Sequence, residues 1–160
     1  MRAHNGGFLP DTNLVSYWIS HTLGRTNNPM VAEAVEWFQS MLVGSRTILS
    51  FATVAELRRW VISTKDPVDR DRIGSMVNEL VELSYLIHGS REIADSWAMI
   101  ANEAKALGKM RETKPLSTQI NDTWIAASAH ASNLTLLTCD TGFGWMADIG
   151  VRVQVYRGKQ

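Results

Sequence analysis

The chain has 160 residues, 45% of them hydrophobic and 20% charged, which is enough to bury one core without disulfides and too apolar for a largely disordered protein. Its 16 basic and 16 acidic side chains cancel, so any attraction for nucleic acid must come from a local basic surface. Cys139 is the only cysteine, no apolar run approaches the roughly 18 to 20 residues of a membrane span, and the first residues lack a secretory apolar stretch. The expectation is a cytoplasmic protein with one domain over residues 1–160 and no membrane role.

Gly6-Gly7-Phe8-Leu9-Pro10 reads as a short first strand before Asp11. Apolar residues then recur at helical spacing from Leu14 to about Leu23 and from Met30 to about Val43, where Val31, Val35, Phe38 and Leu42 share a face. Ile48-Leu49 predicts a second strand, and Thr53-Val54-Ala55-Glu56 has the form of a capping box opening the next helix. A further helix is expected from about Val68 to Leu83, with Ile73, Val77 and Leu80 inward, followed by a strand within Leu83 to Ile87. A long helix from Glu92 to Leu107 should end at Gly108, and Pro115 precedes another that starts near Ser117 or Thr118. Leu134 to Thr138 is a nearly continuous apolar run of the kind found in a parallel strand covered on both faces. Val151, Val153 and Val155 alternate with polar residues and predict a last strand at a sheet edge.

Strands alternating with helices predict a parallel α/β sheet, whose ligands bind beyond the carboxyl ends of the strands. Asp11 and Asp140 fall just after two such strands, while Glu56 and Asp122 lie on helices. Each acid also has an ordinary structural role. Asp11 can cap a helix, Glu56 can complete the capping box, Asp140 can start the turn through Gly142, and Asp122 suits the positive end of a helix dipole.

The joint pattern is more informative. Asp11-Thr12-Asn13, Thr53-Val54-Ala55-Glu56-Leu57, Asn121-Asp122-Thr123-Trp124-Ile125-Ala126-Ala127 and Leu137-Thr138-Cys139-Asp140 occur in the order found in PIN-domain nucleases, and the chain resembles the VapC-type toxin branch of that family over nearly its whole length. The resemblance implies a Rossmann-like, three-layer fold with a parallel five-stranded sheet in the order 3-2-1-4-5. It implies Asp11 and Asp122 as principal metal ligands, Glu56 and Asp140 completing the acidic cluster, and Asn13 in support. It further implies an endoribonuclease toxin that dimerises and is blocked by a cognate antitoxin. Two residues depart from the family pattern: Cys139 stands where arginine is common, and Pro10, which cannot donate an amide to a ladder, is expected to shorten the first strand or shift Asp11.

Packed carboxylates repel one another, and a divalent cation offsets that repulsion. Oxygen-only ligands favour Mg2+ or Mn2+ over zinc, and the scattered His4, His21, His88 and His130 form no zinc motif. One or two such ions would activate water for in-line attack on an RNA phosphodiester, with 5′-phosphate and 3′-hydroxyl products expected. Arg58, Arg59, Lys105, Lys109, Arg111 and Lys114 are candidates for the RNA backbone, although a solvated helix surface is the ordinary role of each. Trp18, Trp37, Trp60, Trp97 and Trp124 sit in helical patterns and are expected to pack, whereas Trp145 could line a substrate rim or a dimer contact.

The other readings are an RNA-processing or defence nuclease without an antitoxin, and a PIN-like RNA-binding module lacking catalysis. A nucleotide-binding Rossmann protein is disfavoured because the first strand is followed by neither Gly-x-Gly-x-x-Gly nor a Walker loop. Asn13 weakens a phosphoaspartate phosphatase.

Overall fold

Short polar side chains cap five of the α-helices, and two of them, Asp11 and Ser50, stand directly at strand ends. In the computed structural model, which describes residues 7–108 and 117–158, strand β1 (Phe8–Pro10) passes through Asp11 into helix α1 (Thr12–Thr22). The Asp11 carboxylate accepts the Leu14 N–H and caps that helix. Asn28 caps α2 (Pro29–Met41), which has proline in its first turn, where a missing amide costs nothing. Strand β2 (Ile48–Ser50) runs straight into α3 (Phe51–Ser63), then α4 (Pro67–Leu83) leads to β3 (Tyr85–Ile87) and α5 (Arg91–Ala106). Helix α6 (Ser117–Ala131), β4 (Thr135–Thr138), a 3₁₀ segment (Thr141–Ile149) and β5 (Val153–Val155) complete the order. Gly108 follows α5 with φ +64°, the left-handed turn that its place after the helix predicted.

The capping box proposed at Thr53 is not used. Helix α3 begins earlier, because the Ser50 hydroxyl accepts the Ala52 N–H as soon as β2 ends. Thr53 is therefore buried inside the helix, and Glu56 lies in its second turn.

The expected continuous five-stranded sheet in the order 3-2-1-4-5 is corrected. The strands form a parallel three-stranded sheet, β1-β4-β5, and a parallel two-stranded sheet, β2-β3. Strand β2 lies beside β1, but no backbone ladder joins these two strands. The register supplies a reason. The Gly7 carbonyl accepts from Thr135 and the Asp11 N–H donates to the Leu137 carbonyl, so the odd residues of β1 turn their backbone groups toward β4. By the alternation of a parallel ladder, Phe8 and Pro10 face β2. Pro10 brings no N–H to that edge. Asp11 is not displaced by it, since its own N–H bonds Leu137 at 2.9 Å.

Both faces of β4 are covered, as its apolar run predicted. Leu136 joins a core with Leu9, Ile100, Ile125 and Ala129, while its neighbour Leu137 packs with Leu14, Ala34 and Phe38 from α1 and α2. A third core of Val15, Ile19, Leu49, Leu57, Ile73 and Val77 joins α1, α3, α4 and β2. The six tryptophans are all partly buried; Trp97 and Trp124 stack at 4.8 Å, and Trp145 packs one side against the first core.

One buried polar link ties the two helices that carry Glu56 and Asp122. The Ser50 and Ser128 hydroxyls meet at 2.9 Å with neither residue exposed, and Ser128 donates onward to the Trp124 carbonyl at 2.8 Å. Ser128→Ala would strand the Ser50 hydroxyl without its acceptor. A loss of about 1–3 kcal/mol in urea unfolding is expected, and Ser50→Ala should cost more because it also removes the cap of α3. Unchanged midpoints in both variants would show that the link contributes nothing.

Candidate active site

The pairing Pro10↔Leu137 brings the ends of β1 and β4 together, so Asp11 and Asp140 emerge at the same sheet edge. Asp11 is 2% exposed. Its Oδ1 accepts the Leu14 N–H at 2.8 Å and its Oδ2 accepts the Thr138 hydroxyl at 2.5 Å. That hydroxyl also accepts the Asp140 N–H at 2.9 Å, so Thr138 braces two of the acids at once. Asp140 caps the 3₁₀ segment, its Oδ1 accepting the Gly142 N–H at 2.7 Å. The structural roles foreseen for Asp11 and Asp140 therefore hold, and they orient the same carboxylates toward the edge.

Glu56 and Asp122 approach from the helices. The Thr12 hydroxyl donates to Glu56 Oε1 at 2.7 Å and lies 3.5 Å from the Thr53 hydroxyl. Asp122 lies in the second turn of α6 and is half-buried. The four acids feel one another electrostatically. Burial pushes Asp11 up from 3.8 to about 6, against the lowering effect of the Thr138 and Leu14 hydrogen bonds and with a further rise from Asp140 and Glu56. Asp122 rises further, to about 7, first through burial and then through the charges of Glu56, Asp11 and Asp140, with no hydrogen bond to oppose them. Burial and the nearby Asp11 also raise the Cys139 thiol to about 11, which leaves it a poor nucleophile at neutral pH.

This donor set consists of carboxylate oxygens, which fits a hard divalent cation. Among the described residues, however, no three His, Cys, Asp or Glu side chains form a preassembled metal cluster. The arrangement suits an ion that keeps much of its water shell and touches only one or two carboxylates directly.

The remaining candidates divide. Asn13 is exposed on the first turn of α1, and only its backbone carbonyl is engaged, by the Ser16 hydroxyl. Arg58 is exposed but turns to the Asn78 side-chain oxygen on α4. Arg59 lines a groove of ≈ 380 Å³ that also contains Glu56 and Thr12. Lys105 is exposed near the end of α5, and Lys109, Arg111 and Lys114 lie outside the described residues. The braces Thr12 and Thr138 were not singled out by sequence reasoning. Both stand inside quoted motifs, Asp11-Thr12-Asn13 and Leu137-Thr138-Cys139-Asp140, each within two residues of an acidic candidate, but neither motif assigned them a bracing role.

Comparison with known proteins agrees with this geometry. The "Ribonuclease VapC4" of Mycobacterium tuberculosis is 29% identical over 119 residues, covering 74% of this chain and 85% of that one. Among solved structures, FitAcB from Neisseria gonorrhoeae superposes with a TM-score of 0.65 at 28% identity, over 91% of this chain and 95% of that one. VapBC2 from Rickettsia felis, bound to a DNA fragment from its promoter, shares the fold at a TM-score of 0.70 and 18% identity, over 92% and 97% of the two chains. A family model for the PIN domain matches residues 8–148. With its strand-end and helix-borne acids in the family order over that span, the chain belongs to the PIN-domain family.

Proposed function

We propose that the protein is a divalent-metal-dependent endoribonuclease and the toxin of a toxin-antitoxin pair. The observation that carries the reading is the convergence of Asp11, Glu56, Asp122 and Asp140, from four separate elements, into one mutually repelling group. Likeness to a protein named as a ribonuclease, and to a structure described as a member of the VapBC family of toxin-antitoxin systems from Mycobacterium tuberculosis, supports both halves of it. An antitoxin as partner, a homodimer as the working form, a cytoplasmic site and Mg2+ or Mn2+ as the ion belong to the same reading. No helix of the described residues is long and apolar enough to cross a membrane. Asp11 keeps its strand-end hydrogen bond to Leu137 beside Pro10, which supports the catalytic reading over a non-catalytic RNA-binding module.

Asp11 and Asp122 would hold the ion, and Glu56 and Asp140 would complete the negative shell around it. When bound, the cation supplies charge stabilisation at the phosphodiester and a more acidic water. The chain's own contribution is positional. Thr138 fixes the rotamer of Asp11 and the backbone of Asp140, Thr12 holds Glu56 against α1, and the burial of Asp11 excludes water from behind the site. Asp122, which accepts no hydrogen bond among the described residues, would offer its carboxylate to the ion or its water shell.

Cleavage of a panel of structured and single-stranded RNAs should depend on Mg2+ or Mn2+ and stop with chelator. Asp122→Asn should lower it by roughly 10²-fold or more while leaving the circular dichroism spectrum unchanged. Full activity in the purified variant would remove Asp122 from the site.

The raised values of Asp11, about 6, and Asp122, about 7, against 3.8 ordinarily, also predict how stability varies with pH. Between about pH 4 and 7 the native state retains protons that the unfolded chain has released, so metal-free stability falls as pH rises through that window and levels off above it. Asp122→Asn removes its share and should stabilise the metal-free protein at pH 8 by on the order of 1 kcal/mol, most of the shift being discounted for solvent screening. Thermal melts across pH, with and without Mg2+, read this directly. A wild-type Tm that rises from pH 5 to 8 without metal would contradict it.

A further inference from the structure

The groove that begins at Glu56 continues away from the acidic group between α1 and α3. Thr12, Ser16, Tyr17 and Ser20 line one wall, and Glu56, Arg59, Trp60 and Ser63 line the other. The spacing explains the walls, since residues three, four and five apart on α1 recur along one helical face. Four hydroxyl-bearing serines and threonines, one arginine and two aromatic rings share this lining with Leu57 and the Glu56 carboxylate, so polar groups alternate with apolar faces. Tyr17 is 37% exposed, and the Arg25 guanidinium, ion-paired with Asp69 at 3.3 Å, lies 5.7 Å from the centre of the Trp60 ring and backs that wall. At ≈ 380 Å³ the groove falls in the size range of small-molecule sites.

Resting on the ribonuclease reading, we infer that this groove is a subsite for one nucleotide of single-stranded RNA next to the cleaved bond. The nucleotide's base lies against Tyr17 and the neighbouring Trp60 edge. Its phosphate faces Arg59, and the serine and threonine hydroxyls face the ribose. Aromatic faces hold any base by stacking, arginine neutralises a phosphate, and the Thr12, Ser16 and Ser63 hydroxyls, which donate within the chain, can still accept from a 2′-OH, which DNA lacks. The subsite sets which side of the scissile phosphate must be unpaired, so it favours loops and single strands over duplex.

The test uses the full chain in an Asp122→Asn background, with fluorescein-labelled single-stranded RNA oligonucleotides in Mg2+ and anisotropy as the readout. Tyr17→Ala should weaken binding roughly tenfold, Tyr17→Phe should restore it, and Arg59→Ala should reduce the slope of log affinity against log salt by about 0.7. Arg46→Ala, at the opposite end of β2, is the control and should change neither. An abasic site walked along the RNA should cancel the Tyr17→Ala loss at one position only. Equal affinity and slope in wild type, Tyr17→Ala and Arg59→Ala would overturn the subsite. So would Tyr17→Ala and Arg59→Ala made with Asp122 intact that bind and cut RNA normally yet escape a neutralising protein, which would give the groove to that protein instead. Failure of the ribonuclease reading is separate, since it shows as wild-type protein that binds these RNAs through the groove but cuts none of them.

Discussion

The buried carboxylate of Asp11 is the constraint around which the sheet edge is organised. It sits where β1 and β4 end side by side, 2% exposed, and accepts one hydrogen bond from the backbone of α1 and one from Thr138 on β4. Each bond offsets part of the cost of removing a carboxylate from water. Together they fix where α1 starts relative to the neighbouring strand. Once α1 is placed, Thr12 is placed, and with it the Glu56 carboxylate that its hydroxyl holds at 2.7 Å. A change at Asp11 would therefore disturb helix capping, strand-end geometry and the acidic group together, whereas Asp122, which has no hydrogen-bond partner among the described residues, can be altered with less structural consequence.

How much was legible in advance follows from whether a feature depends on near or distant residues. The helices were readable because their apolar spacing is local, and β4 because an unbroken apolar run such as Leu134 to Leu137 needs cover on both faces. Asp11 and Asp140 could be placed at one edge because a residue that follows a parallel strand emerges at its carboxyl end. The start of α3 was misread for a local reason. Thr53 and Glu56 have capping-box spacing, but Ser50 stands closer to the end of β2 and captures the Ala52 N–H first. The break between β1 and β2 was half legible: the missing amide of Pro10 is written in the sequence, while the edge it faces depends on the pairing with β4. The Thr138 brace was not legible at all, since its partner lies 127 residues away.

The break beside Pro10 also bears on how the site is held. With no ladder between β1 and β2, the position of α3 relative to the Asp11 edge must come from side chains. Two polar contacts supply it. Ser50 meets Ser128 in the core, and Thr12 meets Glu56 at the surface of the site. The apolar cluster of Leu49, Leu57, Ile19 and Val77 fills the space between the helices. Packing of this kind fixes separation well and direction less well, while hydrogen bonds are directional. The hydroxyl contacts therefore supply the angular precision that a continuous sheet would otherwise have provided.

The same division of labour explains why the acidic group can exist before any ion reaches it. A small metal domain whose ligands have no other partners folds only when the ion binds. Here Asp11 already accepts Leu14 and Thr138, Asp140 accepts Gly142, and Glu56 accepts Thr12. Asp122, for which there is no protein donor among the described residues, is the acid raised furthest, first by burial and then by the charges of Glu56, Asp11 and Asp140. A cation entering the group would gain most at that carboxylate and would displace no structural hydrogen bond there. Three of the acids are thus held by the chain's own donors, and in the proposed reading the ion goes to Asp122 together with Asp11.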